Sequence, residues 1–187
     1  MQIEKPLSTA RITARSSKKT DLPYLTAMWF DEENGKYLSD PTAEYVDARY
    51  QAALDEIEVR QNGYYLTVVL NGTETIIGSF FAFPDEKKER FEIAYCIRKD
   101  HWGKGFGSEL LSLMVDWIRG KGGVEIIAEA AKDNTASDRL LKRIGFKVAG
   151  ESRFQKYNMD IFYESFVYIL RLSGSDAVTA CPVETGE

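Results

Sequence analysis

The chain has 187 residues, 44% apolar and 28% charged, the balance of one ordinary globular domain with a sizeable core rather than of a disordered chain. Its 24 basic and 29 acidic residues leave a net charge of −5, which argues against a nucleic-acid partner and reads first as an ordinary solvated surface, while being compatible with a cationic substrate such as an amine. No apolar run approaches the roughly 18–20 residues of a membrane span. The opening Met1-Gln2-Ile3-Glu4-Lys5 lacks a secretory pattern. Two cysteines and one histidine supply neither a disulfide framework nor a metal (zinc) site, so a reducing cytoplasm is the expected compartment. His101 has no G-x-S-x-G nucleophile elbow to serve, which excludes the usual serine hydrolase.

In chain order, Ala10–Arg15 alternates apolar and polar residues and reads as a first strand. Thr20 is placed to cap a helix, with Asp21 in its first turn and Leu22, Leu25, Met28 and Trp29 at helical spacing. Asp31 to Asp40 mixes charge with aromatics and reads as a loop. Pro41 is expected to open a second helix, with Val46, Tyr50, Leu54 and Ile57 on one face. Tyr64–Leu70 and Ile76–Phe83 read as strands joined by the Asn71-Gly72 hairpin turn. Phe91–Ile97 completes a three-strand meander, with Glu92, Ala94 and Cys96 on one face.

The hydrophobic period then lengthens. Leu110, Leu111, Met114, Val115, Trp117 and Ile118 predict a helix from about Phe106 to Arg119, closed by Gly120, Gly122 and Gly123. Val124–Ala128 is an apolar strand. Asn134 or Thr135 caps a further helix carrying Leu140, Leu141 and Ile144 and ending at Gly145. Phe146–Ala149 and Ile161–Leu170 are the closing strands. The order predicts an α/β fold with a mixed sheet in one domain spanning residues 1–172, and a mobile tail over residues 173–187.

The segment Trp102-Gly103-Lys104-Gly105-Phe106-Gly107-Ser108 joins a strand to a helix. Such a turn leaves backbone N–H groups unpaired at the positive end of a helix, and its glycines let a ligand come close. That combination favours a phosphate or pyrophosphate. Lys104 either adds charge or faces solvent. The spacing matches neither G-x-G-x-x-G nor a P-loop, and a purely structural turn remains open at this point.

The turn resembles motif A of the GNAT superfamily of N-acetyltransferases, Gln/Arg-x-x-Gly-x-Gly/Ala, with Trp102 in the Gln/Arg place and Gly105 and Gly107 matching. Together with Glu92-Ile93-Ala94-Tyr95-Cys96-Ile97, the tryptophan resembles the branch that acetylates ribosomal-protein N-termini. Asn134, Ser137, Arg139, Leu140, Gly145 and Phe146 resemble a downstream segment of the same family. The resemblance spans roughly Leu7 to Leu172. It implies a mostly antiparallel sheet flanked by helices, with splayed central strands.

It also implies acetyl-CoA as cosubstrate and an amine acceptor, either a protein N-terminus or a small amine. Tyr95, Cys96 and Ile97 would run beside the pantetheine arm. Gly103 to Ser108 would take the pyrophosphate, and Asn134 and Ser137 would meet the thiol end. Arg143 would reach a coenzyme phosphate or lie on a solvated face. Glu92 is the implied general base, against a cross-strand salt bridge, and a backbone N–H of Cys96 or Ile97 would hold the thioester carbonyl oxygen. The family's usual tyrosine acid is replaced by Leu141, which leaves Ser137 or water and keeps a non-catalytic acyl-CoA-binding module as the alternative. Cys96 reads as a core residue rather than an acyl carrier. Trp29, Tyr37 and the closing strands would line the acceptor pocket, where Glu164 and Met159 depart from the family pattern. The expected state is a monomer or homodimer.

Overall fold

A computed structural model of the chain describes residues 1–172; the segment 173–187, expected to be a mobile tail, lies outside the described residues. Strands β1 (Leu7–Ser8) and β2 (Ile12–Ser16) precede helices α1 (Leu22–Trp29) and α2 (Ala48–Asp55). The meander β3 (Tyr64–Leu70), β4 (Ile76–Pro84) and β5 (Arg90–Ile97) follows. Then come α3 (Phe106–Gly120), β6 (Glu125–Ala131), α4 (Thr135–Ile144), β7 (Lys147–Gln155) and β8 (Phe162–Arg171). Among the described residues eight strands form one sheet in the order β1-β2-β3-β4-β5-β6-β8-β7, in which only the β5–β6 pair is parallel.

Each face of the sheet buries its own cluster. On one face α3 contributes Phe106, Leu110, Leu111, Met114, Val115 and Ile118, and α4 contributes Leu141, against Phe80, Phe91, Ile93, Ile126 and Tyr168. On the other, Leu22, Leu25, Met28 and Trp29 of α1 and Leu54 of α2 pack on Tyr65 and Cys96. Strand β5 serves both clusters, because its successive side chains point to opposite faces. Phe91, Ile93 and Ile97 join the first and Cys96 the second, in the predicted alternation.

Four local expectations are corrected. The first strand begins at Ile12, and a two-residue strand at Leu7 precedes it. Thr20 does not cap α1; it lies in the 3-10 turn Lys19–Asp21, where the Asp21 carboxylate takes the Lys18 amide (2.9 Å) and the Arg15 guanidinium (2.7 and 2.8 Å). Pro41 does not open α2. Asp47 does, accepting the Tyr50 amide at 2.8 Å, and so the helix starts at Ala48. Strand β7 continues past Ala149 to Gln155. It is an edge strand with a register shift between Val148 and Gly150, and the shift breaks the period-two pattern that would have marked it.

Candidate active site

The parallel β5–β6 ladder stops at Ile93↔Ala128, although β5 runs on to Ile97 and β6 to Ala131. Beyond that point β6 stays paired with β8 as far as Ala131↔Ser165, and β5 stays paired with β4 as far as Ile97↔Gly78. The sheet therefore opens between its two central strands, the splay the family resemblance implies. Which β5 groups face the opening follows from the antiparallel period. The Arg98 amide donates to the Ile77 carbonyl of β4 at 2.8 Å, so the Cys96 backbone also points at β4, and Tyr95 and Ile97 point into the opening. Of the two amides expected to hold a carbonyl oxygen, Ile97 is directed there and Cys96 is not. The Ile97 carbonyl is occupied by the Trp102 indole N–H at 2.6 Å, which gives that half-exposed tryptophan its place.

The glycine turn lies at the end of the opening. Gly105 has φ +83° at the residue preceding α3, a left-handed conformation that a side chain resists, and no side-chain cap covers the first amides of the helix. The three glycines do not share one reason. A Cβ at Gly107 would stand 3.0 Å from Leu140 Cδ2, so this glycine also sets the close approach of α3 and α4. Lys104 does not turn into the nest; its ammonium donates to the Asp100 carbonyl at 2.8 Å. Arg11 props the loop from outside, donating to the Lys104 carbonyl at 3.0 Å, stacking 4.5 Å above Phe106 and pairing with Glu109. Arg143 reaches Ser108 Oγ at 3.5 Å. A groove of about 780 Å³ runs from this turn along α4, with Lys36, Arg139 and Arg143 among its cationic residues.

A second cavity of about 510 Å³ lies on the α1–α2 side, and the two share Tyr37, Leu38, Tyr95, Cys96, Asn134 and Ser137. At this junction the Tyr95 hydroxyl and Ser137 Oγ are 2.7 Å apart. Burial pushes the Tyr95 phenol up to about 12, so it stays protonated at any working pH. Asn134 Oδ1 caps α4 through the Ser137 amide at 3.1 Å, which fixes Ser137 in the first turn. Leu141 lies one turn on, fully buried in the core. Glu92 lines the second cavity, exposed, and forms no ion pair among the described residues, so the cross-strand salt bridge is absent. Burial pushes the Cys96 thiol up to about 12, and it accepts the Asn34 side-chain amide at 3.0 Å. A thiol so held is a poor nucleophile.

A family profile described as an acetyltransferase (GNAT) domain matches residues 11–147. The chain belongs to the GNAT acetyltransferase family. It is 28% identical to an uncharacterized N-acetyltransferase of Bacillus licheniformis over 77% of its own length and 83% of that protein. A second uncharacterized N-acetyltransferase, from Bacillus subtilis, is 29% identical over 87% of this chain and 94% of its own. The fold is similar to that of the spermidine N-acetyltransferase of Vibrio cholerae, solved in complex with CoA and spermine, with a TM-score of 0.75 at 16% identity, covering 89% and 98% of the two chains.

In this acetyltransferase the loop 31–40 forms the wall between the two cavities, held at both ends. Asn34 is buried and bonds both the Cys96 thiol and, at 2.5 Å, the Lys99 amide. Gly35 lies against α1 so closely that a Cβ would stand 1.9 Å from the Trp29 carbonyl. At the far end the buried Lys156 ammonium takes the carbonyls of Gly35, Leu38 and Asp40 at 2.8, 2.9 and 2.9 Å. Desolvation holds its pKa below the ordinary lysine value. Tyr37 packs edge-on against Tyr163 of β8. Trp29 is nearly buried, its indole donating to Ser79 at 3.0 Å, and it lines the second cavity. Asn34, Lys156 and Arg11 carry no sequence pattern that separates them from surface residues; their roles arise from contacts across the chain.

Proposed function

We propose that the chain transfers the acetyl group of acetyl-CoA to a primary amine by direct attack, with the two substrates meeting at the β5–β6 opening. The observation that carries this reading is the pair of cavities that join at Tyr95, Cys96, Asn134 and Ser137. The groove with the glycine turn and cationic rim suits a phosphate-bearing thioester, and the aromatic cavity beside Glu92 suits the acceptor. Acetyl-CoA supplies the acetyl group as an activated thioester.

The residues then divide the work. The uncapped amides of α3 hold the pyrophosphate, with Arg143 beside them. The outward edge of β5 runs beside the pantetheine arm as a neighbouring strand would, offering the Tyr95 amide and carbonyl and the Ile97 amide, the Ile97 carbonyl being taken by Trp102. The Ile97 amide donates to the thioester oxygen, where negative charge develops. Glu92 takes the proton of the acceptor ammonium, directly or through water, and frees the nitrogen lone pair. As the C–N bond forms and the C–S bond breaks, the Ser137–Tyr95 hydroxyl pair hydrogen-bonds the leaving sulfur and relays to it the second proton that the nitrogen sheds, leaving the N-acetyl amide and the free CoA thiol. That pair fills the place left by Leu141, and this favours turnover over a binding module. Cys96 carries no acetyl group in this scheme.

The test is calorimetry with acetyl-CoA, followed by thiol release on a panel of primary amines. Binding with amine-dependent release is expected. No binding refutes the reading, and binding without release on any amine establishes the module instead.

A further inference from the structure

Resting on the acetyl-transfer reading, we infer that the acceptor is a small diamine, whose second, non-reacting cation is held by the Asp40 carboxylate. The acceptor-side cavity, at about 510 Å³, falls in the range of small-molecule sites. It presents three carboxylates, Asp40, Glu92 and Glu129, against a single guanidinium, Arg60. Arg60 is stacked 5.3 Å from the Tyr65 ring centre. Glu92 is allotted to the reacting nitrogen, and Glu129 is engaged by the Ser165 hydroxyl.

Asp40 is the unabsorbed group. The residue is half-buried in the cavity wall, and burial raises its carboxyl pKa. The Tyr50 hydroxyl donates to Oδ1; among the described residues no group bonds Oδ2. The buried Lys156 ammonium donates to three backbone carbonyls, that of Asp40 among them; it makes no direct ion pair with the Asp40 carboxylate, although its nearby charge favours the ionised form. Oδ2 is the side of this carboxylate left open to the cavity, and a ligand ammonium there gains a charge-assisted hydrogen bond that Lys156, turned to the backbone carbonyls, does not supply. The walls reinforce the choice. Trp29, Tyr50, Tyr65 and Phe81 line the cavity, and aromatic faces attract cations. The α-carboxylate of an amino acid would enter a cavity dominated by negative charge.

The experiment compares 1,4-diaminobutane, butylamine and methionine as acceptors for wild type and Asp40→Asn, with calorimetry of 1,4-diaminobutane on the CoA-loaded protein. Wild type should favour the diamine over butylamine by roughly tenfold to a hundredfold in kcat/KM, the range of a hydrogen bond to a charged group. In Asp40→Asn that ratio should fall toward one, through KM rather than kcat, with the acetyl-CoA affinity retained. Asparagine keeps an acceptor for Tyr50, and the wild-type ratio and calorimetry decide the matter even if the variant fails to fold. Equal use of butylamine, or a preference for methionine, overturns the diamine assignment while leaving acetyl transfer intact. Loss of turnover with every amine strikes the acetyl-transfer reading, and diamine binding measured directly still reports on Asp40.

Discussion

Replacing Ser137 with alanine tests the leaving-group assignment, because it removes one hydroxyl at the cavity junction and little else. Asn134 caps the Ser137 backbone amide, not its side chain, so α4 keeps its start. The lost interaction is a hydroxyl donating to a developing thiolate. A hydrogen bond to a charged group contributes about 1.5–3 kcal/mol. That corresponds to a fall of roughly 10- to 150-fold in the rate of acetyl transfer. Tyr95→Phe removes the hydroxyl 2.7 Å away and should cost no more than Ser137→Ala. The double variant should cost clearly less than the sum of the two, since the groups act as a unit. Burial raises the Tyr95 phenol to about 12, and the pair therefore keeps its protons across neutral and mildly alkaline pH. The deficit should be flat from about pH 6.5 to 9.5, well below that value. Single-turnover thiol release with saturating amine is the assay. A Ser137→Ala rate within twofold of wild type, or a deficit that vanishes on raising pH, would refute the assignment.

Four further outcomes follow from named contacts. Gly107→Glu, folded by circular dichroism, should lose detectable acetyl-CoA binding in calorimetry, because it puts a carboxylate at the first turn of α3. Leu141→Tyr should not restore an acid: position 141 is fully buried in the core, and overpacking there should cost about 1–3 kcal/mol in urea denaturation. Asp21→Ala should cost about 3–5 kcal/mol by breaking the Arg15–Asp21 pair. Burial alone would raise the Asp21 carboxyl, but the Arg15, Lys18 and Thr67 hydrogen bonds outweigh it and hold the pKa below 3.8; this stabilisation is present above that pH and is lost as pH falls through the folded value. Intact-mass analysis after incubation with acetyl-CoA alone should show no acetyl adduct on Cys96, whose thiol stays protonated up to about 12.

The fold was readable wherever a period ran long enough. The alternation in Phe91–Ile97 and the 3.6 repeat from Leu110 to Ile118 place β5 and α3 with little error, because each segment buries one defined face. Reading failed where contacts distant in sequence decide. Pro41 suggests a helix start, yet Lys156, more than a hundred residues away, ties down the carbonyls of Leu38 and Asp40, and the helix waits for Asp47. Strand β7 buries no residue fully, and its register shift between Val148 and Gly150 interrupts what alternation it has.

The site divides in the same way. The glycine turn and Glu92 are visible as local patterns. The Tyr95–Ser137 pair joins a strand to a helix 42 residues further on, and only the folded chain brings the hydroxyls together. Lys104 shows the converse: a lysine within an anion-binding pattern that the backbone turns toward the Asp100 carbonyl instead.

The central claim, that acetyl transfer takes place in the opening between β5 and β6, is tested most directly by a crystal structure of the protein with acetyl-CoA. The pyrophosphate is expected at the amides from Gly105 to Ser108 and the pantetheine beside Tyr95 and Ile97. The thioester oxygen is expected within hydrogen-bond reach of the Ile97 amide, and the sulfur within reach of the Ser137–Tyr95 pair. A coenzyme bound with its thioester outside that opening, or a thioester oxygen directed away from Ile97, would contradict the claim.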